Sequence, residues 1–69
     1  MSAEKILELA EEALTLVPQL PENCRMRDGV GTMLQGIADG IHETGKVSPK
    51  QAAAVANMSH AVHAWFRAS

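Results

Sequence analysis

Two breaks cut this chain of 69 residues into three pieces, and each piece carries the apolar rhythm of an α-helix. The first break is Pro18-Gln19-Leu20-Pro21. Each proline lacks a backbone N–H and pushes the residue before it toward extended geometry, so helix one is expected to end here in an extended connector through Gln19 and Leu20. The second break is Gly45-Lys46-Val47-Ser48-Pro49. Glycine is the preferred residue just past a helix end, and a lysine there favours the negative end of the helix dipole. With the breaks placed, the expected fold is all-α: a small three-helix bundle over residues 1–69, with helices at about 3–17, 22–44 and 49–67.

Helix one is read from its pattern. At 100° per residue, Ile6, Leu7, Leu9, Ala10, Ala13, Leu14, Leu16 and Val17 fill one half of the wheel. Four glutamates, Lys5 and Thr15 fill the other half. Ser2 is the expected N-cap, and Glu4 sits near the positive end of the dipole. Helix three is read from its start. Ser48, Pro49 and Gln51 stand at the cap, first and third positions, which is the spacing of a capping box. Val47 and Ala52 are placed for the accompanying hydrophobic staple. The expected core stripe of helix three is Gln51, Val55, Met58, Val62, Trp65 and Phe66.

Helix two carries the least settled pattern. Met26, Val30, Met33, Leu34, Ile37 and Ile41 form a narrow apolar stripe, and Gly29, Gly36 and Gly40 lie along one edge of it. A glycine inside a helix costs about 1 kcal/mol relative to alanine. Three on one edge call for a reason, and close approach of another helix backbone is the physical candidate. Gly36 and Gly40 have the small-xxx-small spacing that permits it, a motif calibrated in membranes. The alternative is that Gly29-Val30-Gly31 breaks the segment and leaves residues 22–28 as a separate turn.

A chain this short buries little surface, and natural domains of this size add disulfides, a metal or an oligomer. One cysteine, Cys24, leaves no internal disulfide and fits a reducing compartment. Self-association is therefore the expected staple. The apolar fraction of 46% is that of a folded globule, so disorder is not expected. The acidic N-terminal stretch does not look like a signal peptide, and no apolar run approaches the ~20 residues of a membrane span. The expected location is cytoplasmic.

The net charge of −2 is unevenly spread. Residues 1–20 set Lys5 against Glu4, Glu8, Glu11 and Glu12, a balance of −3. Residues 46–69 hold Lys46, Lys50 and Arg67 and no acid, a balance of +3. Attraction between the first and last helices is the plain expectation; two surfaces of opposite sign for partners is the functional one.

Candidate chemistry is thin. Cys24, His42, His60 and His63 are the one ligand-like set, and His60 and His63 at i, i+3 are compatible with a metal. His42 and His60 fall on faces pointing away from the core stripes, so the set is not expected to converge, and no metal or other cofactor is assigned. No phosphate loop, carboxylate pair or nucleophile with an oxyanion hole is recognisable, so no enzyme is expected. Gln51, Ala52, Asn57-Met58-Ser59, Val62 and Trp65 form a series similar to the second half of a phage-repressor-type helix-turn-helix. That resemblance implies DNA binding by residues 49–67. Its register slips by one residue: with Ser59 in the turn, the buried valine position falls on His63.

The expectation is a non-enzymatic protein–protein interaction module that acts by stoichiometric binding. It would be a regulator or inhibitor of a target protein, of the phage- or plasmid-accessory kind, and a homodimer. Nucleic acid and membrane are not expected partners. The residues assigned to the interface are Gly29, Met33, Gly36 and Gly40 on helix two, with Met58, Trp65 and Phe66 on helix three.

Overall fold

The computed structural model describes residues 2–68 and is helical throughout, with three α-helices and one short 3-10 turn among those residues. We number the helices α1 (Ala3–Leu16), α2 (Met26–Thr44) and α3 (Pro49–Ala68). The 3-10 turn, Val17–Gln19, continues directly from α1.

Local chemistry sets most of the ends. Ser2 is in extended geometry, and its hydroxyl oxygen accepts from the Lys5 amide at 3.3 Å. Contrary to the extended geometry expected before Pro18, Val17 stays in the right-handed helical region (φ −55°, ψ −46°). The reason is that the 3-10 turn through Pro18 and Gln19 continues α1, closing with the Leu20 amide donating to the Val17 carbonyl at 3.0 Å. Leu20, only 3% exposed, then anchors the connector in the core. The capping box at α3 is formed reciprocally: the Gln51 amide donates to Ser48 Oγ and the Ser48 amide to Gln51 Oε1, each at 3.1 Å. Gly45 ends α2 at φ +70°, the left-handed geometry glycine adopts without steric cost.

The start of α2 departs from the expected residue 22. Residues 22–25 instead make two successive turns, in which the Cys24 amide donates to the Pro21 carbonyl at 2.9 Å and the Arg27 amide to the Cys24 carbonyl at 3.2 Å. With Leu20 held in the core, the chain must reverse before α2 can pack back along α1, and Glu22-Asn23 supplies the turn. From Met26 the helix is continuous through Gly29-Val30-Gly31, so no break occurs there.

Packing explains the width of the apolar face on α1. Ile6, Ala10, Ala13 and Val17 run down its buried centre line, and Leu7, Leu9, Leu14 and Leu16 flank that line half-buried. A face half a wheel wide suits a helix with two neighbours, and α1 packs against both α2 and α3, which meet each other over a smaller area. Leu34, Ala38 and Ile41 of α2 and Val55 and Val62 of α3 complete the core.

The core face of α3 needs correction. Gln51 is exposed, Trp65 is only half-buried, and Ser59 is buried to 6% exposure. The true centre line is Ala52, Val55, Ser59, Val62 and Phe66, rotated roughly 50° from the expected stripe at 100° per residue. Small residues permit close helix approach, and α1 presents Ala10 and Ala13 while α3 presents Ala52 and Ser59. Helix α3 also runs through Asn57-Met58-Ser59 without interruption, so the turn of a helix-turn-helix is absent from residues 49–67.

Candidate functional site: the outward face of helix two

Leu34, Ala38 and Ile41 turn one side of α2 into the core. Stepping 100° per residue, Gly29, Met33, Gly36 and Gly40 fall within a 60° arc centred roughly 140° away from that side. Gly29 and Gly36 are exposed on this arc, while Gly40 is half-buried where the arc meets a hollow shared with Gln51 of α3. A Cβ added at Gly29, Gly36 or Gly40 would meet nothing within 4 Å. No close approach inside the chain accounts for them. The one helical glycine in tight contact is Gly31, where an added Cβ would stand 3.2 Å from Val17 Cγ1.

Met33 lies in the middle of this glycine-lined face and is 55% exposed, while Leu34 beside it is fully buried. Among the described residues it is the exposed large hydrophobic. On one flank of the face, Met26, Val30 and Ile37 are half-buried. On the other, Arg25 and Glu43 are both exposed. The outward face thus has an apolar knob, three gaps where side chains are missing, an apolar flank and a charged flank.

The three residues assigned on α3 divide. Met58 and Phe66 pack against the core, and Trp65 is half-buried with its ring edge-on to Phe66, centroids 5.2 Å apart at 83°. Met58 and Trp65 lie on the same flank of α3 as Gln51, which lines a hollow of about 530 Å³ together with Gly40 and Thr44 of α2. Gln51 thus borders α2 at that hollow, while Met58 and Phe66 both pack against the core.

A second concavity, of about 720 Å³, opens between α1 and α3. Leu16 and Phe66 give it an apolar floor, and Glu12, Thr15, His60, His63 and Arg67 surround it. His63 Nε2 lies 3.0 Å from Glu12 Oε1, and its Nδ1 lies 2.8 Å from the Ser59 carbonyl oxygen. Both partners are acceptors, so a neutral ring donates to one of them and an imidazolium to both. A histidine oriented by a carboxylate can serve as a base for a nearby hydroxyl. The Thr15 hydroxyl, however, donates to the Glu12 carbonyl at 2.6 Å, which commits its proton to its own helix. The arrangement ties α1 to α3 and does not assemble a reacting group.

The charge asymmetry is expressed weakly. The ion pairs among the described residues are Lys5–Glu8 at 3.9 Å within α1 and the Glu12–His63 contact; Lys46, Lys50 and Arg67 enter neither. The ligand-like set is dispersed: His60 and His63 line the α1–α3 groove, His42 lines a smaller hollow between α1 and α2, and Cys24 is in the connector. No three His, Cys, Asp or Glu side chains gather to hold a metal ion among the described residues. No described helix is long and apolar enough to cross a membrane. No protein-family model, curated protein or solved structure matches the chain.

Proposed function

We propose that this chain is a non-enzymatic protein–protein interaction module that self-associates through the outward face of α2 and the adjoining flank of α3, and acts by stoichiometric binding to a target protein as a regulator or inhibitor. The observation that carries the reading is the position of Met33. A 55% exposed methionine stands among three helical glycines at which an added Cβ would meet nothing of its own chain within 4 Å. Those glycines weaken the isolated helix by about 1 kcal/mol each, a cost that docking of a helix against the exposed backbone offsets. Methionine is flexible and polarizable, which suits it to such a surface. Trp65, half-buried at the end of α3, is of the residue type that most often anchors interfaces.

Size-exclusion chromatography with light scattering over a wide range of protein concentration tests the reading. A dimer mass that gives way to monomer on dilution is expected, with Met33→Glu shifting the equilibrium to monomer. A strict monomer at millimolar concentration contradicts self-association through this face.

A further inference from the structure

We infer that the partner seated on the outward face of α2 is a second α2 in antiparallel, two-fold symmetric register, with the axis passing between Leu34 and Gln35. This inference rests on the self-association proposed above and fixes its geometry. The residues of the face define the axis by themselves. In an antiparallel pair centred between residues 34 and 35, residue n faces residue 69 − n. Met33 then faces Gly36 of the partner subunit, and Gly29 faces Gly40 of the partner subunit. Each of the four seam residues finds a member of the same seam, the half-buried Gly40 included, and each methionine knob meets a residue without a side chain. A parallel arrangement would instead set Met33 against its own copy and the glycine gaps against one another.

Charge supplies the independent argument. Arg25 and Glu43 are 18 residues apart, five whole helical turns, so they lie on one line along the same flank of the seam. They are also about 27 Å apart along the helix at 1.5 Å per residue, so they cannot pair within a chain. Both are exposed, and neither enters an ion pair among the described residues. A two-fold axis perpendicular to the plane of two antiparallel helices brings like flanks together. Arg25 then meets the partner's Glu43 within one residue of register, and symmetry repeats the pair at the other end. In a parallel pair the flank of one helix faces the opposite flank of its mate, and no such pairing arises. The opposite flank brings Val30 and Ile37, both half-buried in the single chain, toward the partner's Ile37 and Val30. The face is thus complementary to itself in shape, apolar surface and charge in this one register.

Two measurements test the inference. The first uses Cys24, the single cysteine, which precedes α2, as a spin-label site. Electron–electron distance measurement on the labelled dimer should give about 30 Å, the rise over some 21 residues at 1.5 Å each. A separation under about 20 Å indicates a parallel pair and overturns the register while leaving self-association intact. The second uses Arg25→Glu and Glu43→Arg. Each alone should raise the dimer dissociation constant roughly 10-fold, because two exposed pairs become two repulsions. An equimolar mixture of the two variants should recover wild-type affinity, since the mixed dimer restores both pairs. Unchanged affinity of both single variants, with helicity preserved by circular dichroism, overturns the register. A wild-type chain that stays monomeric overturns the underlying reading as well.

Discussion

Replacing Gly36 by alanine should strengthen the fold and weaken the dimer, and the opposite signs make it a sharp test. In the single chain the new Cβ meets nothing within 4 Å, and the position lies inside a regular helix with ordinary negative φ. No packing penalty applies, so the helix propensity difference of about 1 kcal/mol is gained nearly whole. At about 2.1 cal/mol/K per residue, 69 residues give an unfolding entropy near 145 cal/mol/K. The gain then corresponds to a rise in melting temperature of about 7 °C. Far-UV circular dichroism melts should be run over a dilution series. At the dilute limit, where the chain is monomeric, the full rise is expected. At high concentration it should shrink or vanish, because the wild type gains mass-action stability from its partner and the variant does not. Gly31→Ala is the internal control: its Cβ would stand 3.2 Å from Val17 Cγ1, so most of the propensity gain is lost to displacement of Val17. A fall in melting temperature for Gly36→Ala at the dilute limit refutes the placement of this face in open space. A rise that persists undiminished at high concentration refutes close backbone contact in the dimer.

Two further substitutions probe the fold beneath the surface. Ser48→Ala removes one half of the reciprocal cap on α3 and should cost about 1 kcal/mol in urea-induced unfolding, with no change in the slope of the transition. A loss of a few tenths or less would mean the box contributes little once α3 is packed. Leu34→Ala empties a fully buried site and should cost about 2–5 kcal/mol, a large share of the stability of so small a domain. Retention of a cooperative melt near the wild-type temperature would place Leu34 outside the core.

The sequence was most informative where structure depends on near neighbours. The capping box at Ser48 and Gln51, the Ser2 cap and the left-handed Gly45 are each formed by residues within four positions of one another. Their geometry therefore follows from residue type and spacing. The apolar half of α1 was equally legible, because a wide one-sided face has few other uses. The outward glycine edge of α2 was visible as a pattern, although the sequence left open whether it faced a helix of its own chain.

Three things were decided only by the tertiary structure. The start of α2 moved to Met26 because burial of Leu20 fixes where the connector must turn, and the turn chemistry of Glu22-Asn23 is used only once that burial is in place. The face of α3 rotated to bury Ser59 and expose Gln51, which follows from how α3 packs against α1 and not from its own apolar rhythm. Which glycines of α2 are open was likewise decided by its neighbours: Gly29 and Gly36 are exposed, Gly31 abuts Val17, and Gly40 borders a hollow shared with α3. Helix ends are settled by short-range hydrogen bonds written into the chain. Which side of a helix is buried is settled by the shapes of its neighbours, and those exist only once the fold has formed.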